Sequence, residues 1–562
     1  MEYPSKHVKT KVERVKFNPD QIREEQNPFV IPTVVDDTEK LKRSITWANA
    51  FWVSSGVPAL VLFSIGAIAA TVGNPSWFVW TMSIIIGFLQ SFAYAEIAGL
   101  FPNKSGGASV YGAIAWIRYG KILAPISVWC NWFGWSPVVA IGTGLSAGYI
   151  LSMFDSNSLV KTWQFKILSL DFIKTDLSLR IDSTFFIAAI LMLIVFAVQH
   201  RGILSAARIQ MIFAISSLLP LIILGIIPLF MGKVHSKNFK PFVPLMRDTI
   251  TKNITTGSWD RAGITLFSGG MFIAGWSTYA FETAVCYTSE FKKPGSDTFK
   301  AILSSGLLCL FVFTLIPITF QGNLGLTGML DPGIYKGMGV AKAMAEMIGG
   351  GQIMTNVVVV LLLLSLLLSI MTAMAGSSRT LYQGSVDGWL PKFLSHVNQN
   401  GAPTAAMWTD LIFNLVLLLL SDLVFVLAAS NVGYIIFIFM NVNAVWIHRM
   451  DRPNWKRPFK VPNWLLLISI ILSYINLVFL GMGADIWGVG TLFTGLIFAV
   501  LIIPVFIIRH YIQDKGSFPA LIVDDFNLDD ETSVSSQAGI LPYIALGIGI
   551  LVVILSRLLA YY

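Results

Sequence analysis

Trp52-Val53-Ser54-Ser55-Gly56-Val57-Pro58-Ala59 interrupts an apolar run that extends from about Ile45 to Ala70. Pro58 has no N–H, so the carbonyl of Ser54 loses its partner four residues on. Gly56 lets another group approach the chain without meeting a Cβ. A second apolar run, from about Gly263 to Val285, carries Gly269, Gly270 and Gly275 and then Trp276-Ser277-Thr278-Tyr279-Ala280. The two interrupted runs occupy matching places in the two halves of the chain. Hydrocarbon penalises unpaired backbone groups, so irregular backbone persists at mid-membrane only where it lines a cavity. Matched interruptions of this kind point to the solute site of a secondary transporter.

The composition agrees with a membrane setting. Of the 562 residues, 55% are hydrophobic and 12% charged, against about 25% charged in soluble domains, and the mean hydropathy is +0.70. These values predict an all-α polytopic membrane protein. Twelve apolar segments are expected, at 45–70, 76–100, 122–151, 184–199, 206–231, 263–286, 301–325, 352–380, 404–420, 424–447, 463–481 and 488–509, with a thirteenth at 540–559. A spanning helix needs about 20 apolar residues; segments 4 and 9 fall short and lean on their flanks. Seventeen Trp and 39 Phe suit interfacial belts and packed helices. Cys130, Cys286 and Cys309 fall inside apolar segments and read as small core hydrophobes. No disulfide or Cys-x-x-Cys metal pattern is present, and the polar first 44 residues show no cleavable signal.

Positive charge sets the expected orientation. With the N-terminus inside, the inner tail and loops hold 26 Lys and Arg and the outer loops 12. The net charge of +8 therefore reports orientation in a bilayer, and no basic run interleaved with aromatics suggests nucleic acid. Residues 1–44 form a cytoplasmic tail. Residues 45–450 form the core, two five-helix repeats (segments 1–5 and 6–10) whose odd number inverts the second copy. Residues 451–510 carry segments 11 and 12. Residues 511–537 are an acidic linker with the default reading of a solvated tail, and 538–562 hold an additional transmembrane helix. The loops at 152–183 and 232–262 read as polar and external, and Gly337–Gly349 as a short surface helix. Asn253-Ile254-Thr255 is a glycosylation sequon, meaningful only in a eukaryotic host.

At the first interruption, exposed N–H groups and a positive helix end suit a carboxylate; a plain proline kink is the simpler alternative. At the second, freed carbonyls suit an ammonium group, and Trp276 is placed to cover the pocket or stack on a ligand. Thr278 and Tyr279 either add hydrogen bonds to a ligand or pack between helices. Two acids intrude on apolar segments, and intramembrane carboxylates are functional candidates by default. Glu96, near the end of segment 2, reads as paired with a neighbouring loop. Glu282 reads as a proton carrier or a gate residue ahead of a direct ligand contact. His7, His200, His235, His396, His448 and His510 all fall in tails or at segment ends, which argues against an intramembrane metalloenzyme. No P-loop, Gly-x-Ser-x-Gly elbow or dinucleotide signature occurs.

Four blocks within residues 45–450 resemble the amino acid–polyamine–organocation (APC) superfamily. They are Tyr94-Ala95-Glu96-Ile97-Ala98-Gly99-Leu100-Phe101-Pro102 followed by Ser105-Gly106-Gly107 and Tyr111; His200-Arg201-Gly202 through Ala207-Arg208-Ile209-Gln210; Tyr279-Ala280-Phe281-Glu282 with Glu290 and Lys292-Lys293-Pro294; and Ser378-Arg379-Thr380-Leu381-Tyr382 with Asp387-Gly388-Trp389-Leu390-Pro391 and Gly401-Ala402-Pro403. The resemblance implies a five-plus-five inverted-repeat, leucine-transporter-like fold with ligand held between segments 1 and 6. The family's Gly-x-Gly signature maps to Ser54-Ser55-Gly56, with Ser54 replacing the first glycine. Its tryptophan gate maps to Trp276, and its pocket glycine to Ala280. The segment 5 lysine of some proton-coupled members maps near Ser216 or Ser217, so that mechanism is in doubt here. Ser217, Ser369 and Thr372 form a possible sodium site with segment 1 carbonyls, against ordinary intrahelical hydrogen bonding.

The expectation is a permease of the plasma or inner membrane. It moves amino acids or related amines by alternating access as a symporter or antiporter, with H+ or Na+ as the possible coupling ion and no other cofactor. Ser54, Ser55, Gly56, Val57, Pro58, Gly275, Trp276, Ser277, Thr278, Tyr279 and Ala280 are the candidate substrate contacts, and no catalytic or metal residue is expected. The alternatives are a carrier of polyamine, purine or inorganic cation on the same fold, or a transporter-like nutrient sensor. Oligomeric state is not legible.

Overall fold

The computed structural model describes residues 41–152, 158–247, 254–335, 339–519, 522 and 537–562. The N-terminal tail to residue 40, Asn253 of the sequon, residues 336–338 and most of the acidic linker lie outside the described residues. Eight described helices are long and apolar enough to cross a membrane, or nine if the bent segment 1 counts as one. Segments 4 and 9 are the shorter apolar helices Ser183–Gln199 and Thr404–Leu417.

Segment bounds follow the apolar runs closely. Segment 2 is Ser76–Leu100, segment 8 Gln352–Val386, segment 10 Leu423–Asp451 and segment 11 Asn463–Gly483. The C-terminal helix is Leu541–Tyr561. Segment 3 divides at Ser136 into Leu123–Trp135 and Pro137–Ser152, because Pro137 cannot donate into the ladder. Asp182, Asp260 and Asp422 head segments 4, 6 and 10, accepting from Phe185, Gly263 and Phe425 N at 2.9, 2.9 and 3.0 Å. These caps satisfy backbone donors that a helix start leaves open.

Residues 44–46, 101–107, 285–292, 379–391 and 449–461 gather at one end, the N-terminal end. Residues 73–74, 241–245, 420–422 and 485–487 lie at the opposite end. The purely α-helical expectation is corrected there. Each of the two polar loops holds a two-stranded antiparallel sheet, Gln164–Ser169 with Ser178–Asp182 and Leu245–Arg247 with Ile254–Thr256. Alternation in Phe165-Lys166-Ile167 suits a strand, and Asp171 Oδ1 accepts Asp176 N at 2.9 Å to close the turn. Residues 108–116, left without structure by the apolar pattern, form a buried helix behind the Ser105-Gly106-Gly107 turn. Val340–Met347 is the short helix near Gly337–Gly349.

Candidate functional site

Segment 1 breaks where its sequence says it should. Helix Trp47–Ser54 ends, a 3-10 turn covers Val57–Ala59, and helix Leu60–Val72 follows. Ser54 and Ser55 do not reach into open space: their hydroxyls donate to Ala50 O at 2.8 Å and Trp52 O at 2.6 Å. Segment 8 supplies partners for two carbonyls of the break. Ser369 Oγ donates to Gly56 O and Thr372 Oγ1 to Val53 O, each at 2.6 Å. Gly56 is needed for this closeness. A Cβ there would lie 2.6 Å from Leu368 O, Ser369 Cα and Thr372 Oγ1. The space it leaves is filled by segment 8, which corrects the expectation of room for a ligand there. Ser217 lies in a π turn of segment 5; its hydroxyl donates to Phe213 O at 2.6 Å and meets Ser365 Oγ at 3.1 Å. Ser369 and Thr372 thus converge on segment 1, while Ser217 joins them only through Ser365, whose carbonyl accepts from Ser369 at 3.0 Å.

Segment 6 breaks later than its glycines suggest. The helix runs regularly from Arg261 to Thr278 and tightens to a 3-10 helix over Ala280–Glu290. The glycines serve packing instead: Ile486 sits against Gly269, Val72 against Gly270, and the Tyr279 ring against Gly275. Side chains beyond Trp276 turn to other helices. Thr278 Oγ1 pairs with Ser83 Oγ at 2.7 Å, Tyr279 Oη donates to Asn476 Oδ1 at 3.1 Å, and Ser277 Oγ donates to Ala274 O at 3.2 Å. Val57, Pro58 and Ala280 are buried.

A cavity of about 260 Å³ lies beside the two breaks. Its wall includes Leu60, Ile141, Leu145, Ile273, Leu366 and Leu427, with Trp276 and Ser369, and no ionisable side chain lines it among the described residues. Ile273 and Trp276, three apart, share the helix face that meets it. Of the expected contacts in segments 1 and 6, only Trp276 lines it. The Trp276 indole donates to Gly134 O at 3.1 Å, just ahead of the Pro137 kink. A wider vestibule of about 670 Å³, lined by Lys174, Asp260, Arg261 and Asp422 among others, shares Val424 and Trp487 with the cavity. Lys174 pairs with Asp422. The Gly263 N–H holds the Asp260 carboxyl below its usual range.

Glu282 does not line the cavity. It is fully buried beyond Trp276, toward the Glu290–Arg379 pair, where Trp135 Nε1 donates to Oε1 at 2.7 Å. Oε2 faces the neighbouring Tyr434 hydroxyl. Below it, ion pairs and hydrogen bonds join residues 104–106, 286–290 and 379–387. Arg379 holds Glu290 through two bonds, Nε–Oε1 at 2.5 Å and Nη2–Oε2 at 3.1 Å, and stacks over Tyr287. Lys104 pairs with Asp387 at 2.6 Å, Thr380 Oγ1 donates to Gly106 O at 2.9 Å, and Gly106 N to Cys286 O at 2.9 Å. Glu96 is paired as read, with Arg449, Arg457 and the Val461 N–H.

Asp410 in segment 9 was missed. Its Oδ1 accepts from Trp132 Nε1 at 2.8 Å and Ser136 Oγ at 2.6 Å, and Oδ2 from Ser377 Oγ at 2.8 Å. Asn414 Oδ1 accepts the Ala140 N–H beyond the kink at 3.1 Å. A lone acid inside an apolar helix was the available signal. No group of three or more His, Cys, Asp or Glu side chains suited to a metal occurs among the described residues.

Residues 45–507 match the model of the family described as amino acid permease. The branched-chain amino acid permease BcaP of Lactococcus lactis is 24% identical over 464 residues, covering 80% of this chain and 91% of that protein. An uncharacterized transporter of Legionella pneumophila is 23% identical over 425 residues, 72% and 81% of the two chains. The large neutral amino acids transporter small subunit 2 of Mus musculus is 22% identical over 445 residues, 78% and 74%.

Proposed function

The chain belongs to the amino acid permease family, and on that premise we propose that it carries amino acids with large apolar side chains, binding them in the cavity beside Trp276. It is a multi-pass membrane transporter of amino acids and not an enzyme. The observation that carries the substrate class is the cavity itself. At about 260 Å³ it is smaller than the ~300–1,000 Å³ of drug-sized pockets. Its wall is aliphatic and aromatic with Ser369 and Ser64 as polar groups, so it suits the substrate's side chain, whose ammonium and carboxylate would meet the backbone at the two breaks, and a charged side chain would lose hydration there without a partner. A polyamine would meet no acid. The names of two relatives, branched-chain and large neutral, agree with this choice.

The same reading takes twelve spanning segments and a thirteenth, two inverted five-helix repeats and an N-terminus on the cytoplasmic side of the plasma or inner membrane. The vestibule then faces outward and the Glu290–Arg379 seal inward. The Val53 and Gly56 carbonyls, which here accept from Thr372 and Ser369, and those two hydroxyls are the four oxygens a sodium ion would take in place of the hydrogen bonds between them, while Glu282 is the candidate proton carrier. The test is counterflow in proteoliposomes. Leucine, isoleucine and phenylalanine should exchange against internal leucine, and arginine, glutamate and putrescine should not. Exchange of arginine or putrescine at equal rate would remove the apolar-substrate reading. Leucine binding without exchange would favour a sensor.

A further inference from the structure

The C-terminal helix lies beyond the matched residues 45–507, and the polar contacts of its second half gather on segment 11 and the turn that follows it. It packs on segment 11, where Gly481 has no Cβ and lets Ser556 and the Val553 carbonyl approach. Tyr474 Oη donates to Ala545 O at 3.1 Å and Tyr561 Oη to Met482 O at 3.0 Å. Arg557, stacked over Tyr561, donates from Nη2 to Asp485 Oδ2 at 2.6 Å.

Asp485 belongs to the 3-10 turn Ala484–Trp487. Its second oxygen, Oδ1, accepts the Leu492 N–H at 3.0 Å, so both sides of the turn are fixed through one carboxylate. Two residues on, the Trp487 indole donates to Gly269 O in segment 6 at 2.8 Å. Trp487 lines both the vestibule and the cavity, and Ala560 of the C-terminal helix lines the vestibule. An arginine outside the matched residues therefore holds the turn that carries Trp487, which with Val424 stands between the two compartments.

We propose that the C-terminal helix is a latch on the constriction between vestibule and cavity, with Arg557 and Asp485 as positioning residues and Trp487 as the side chain that narrows the passage. The proposal rests on the reading that solute reaches the 260 Å³ cavity through the vestibule. Releasing Arg557 frees the turn, lets Trp487 leave Gly269, and widens access without altering the cavity wall.

The experiment reads access directly. A cysteine is placed on the cavity wall as Ser64→Cys, and as Leu427→Cys in case the first fails to fold. The purified, reconstituted full chain is labelled by a membrane-impermeant thiol reagent, with the background from Cys130, Cys286 and Cys309 subtracted. Arg557→Gln and Asp485→Asn should each speed labelling about two- to fivefold, the range over which a partly exposed ion pair shifts an equilibrium. The double variant should add nothing beyond either single one. Arg557→Lys should label at the parent rate, and Trp487→Ala at least as fast as Arg557→Gln. Leucine KM should rise in Arg557→Gln with kcat nearly unchanged. Lower thermal stability with parent labelling and KM in Arg557→Gln would reduce the helix to packing and overturn the proposal. Fast labelling in Trp487→Ala but not Arg557→Gln would also overturn it. Faster labelling in a protein that exchanges no amino acid would sink the transport reading and leave the latch standing.

Discussion

The indole N–H of Trp135 donates to Oε1 of the fully buried Glu282 at 2.7 Å. The preceding residue, Gly134, accepts the indole N–H of Trp276. Two consecutive residues of segment 3 therefore hold the cavity-lining aromatic and the buried acid of segment 6, one on each side of a short step. Glu282→Gln keeps an acceptor for Trp135 and removes the charge. It should abolish pH-driven accumulation in proteoliposomes while leucine exchange continues. Accumulation at the parent level would take the proton role away from Glu282.

Trp276→Leu retains bulk but loses the flat face and the bond to Gly134. The apparent affinity for substrate should fall on the order of tenfold if about 1–2 kcal/mol of contact is lost. A lower melting temperature with unaltered affinity in the folded fraction would assign Trp276 to packing.

Glu290 and Arg379 are both almost fully buried. Removing one partner leaves an uncompensated charge, so Glu290→Leu should cost about 3–5 kcal/mol. The double variant Glu290→Leu with Arg379→Met should recover most of that. Thermal unfolding in detergent measures both, and equal losses in the single and double variants would show that the pair does not act as a unit.

Thr372→Val is close in shape and leaves the Val53 carbonyl without its 2.6 Å donor. The expected loss is roughly 1–3 kcal/mol. If the four oxygens hold sodium, the sodium dependence of uptake should weaken in the same variant. Sodium dependence that survives both Thr372→Val and Ser369→Ala would move the ion elsewhere.

Asp410→Asn exchanges one acceptor oxygen for an NH2 group that faces indole or hydroxyl donors. Hydrogen bonds to a charged group contribute about 1.5–3 kcal/mol, so a clear fall in melting temperature is expected, with Ser377→Ala giving a smaller one. A parent-like melting temperature for Asp410→Asn would mean that the link between segments 3, 8 and 9 carries little stability.

The break at Ser54–Pro58 is legible because its causes are local: proline lacks a donor and glycine lacks a side chain wherever they stand. Helix bounds are legible for a similar reason, since a lipid-facing apolar run satisfies its backbone groups by staying helical; 76–100 and 540–559 reappear as Ser76–Leu100 and Leu541–Tyr561. The break in segment 6 is displaced to Tyr279, because a glycine weakens a helix by only about 1 kcal/mol. Ile486, Val72 and the Tyr279 ring fill the surfaces left by Gly269, Gly270 and Gly275. The neighbours of Glu282 and Asp410 are not legible at all. Trp135 is 147 residues from Glu282, and Ser136 is 274 from Asp410. Local chemistry dictates which backbone and side-chain groups cannot stand alone in a bilayer. Which partner each of them finds depends on how distant helices are rotated against one another, and that is set by the packing of the whole bundle.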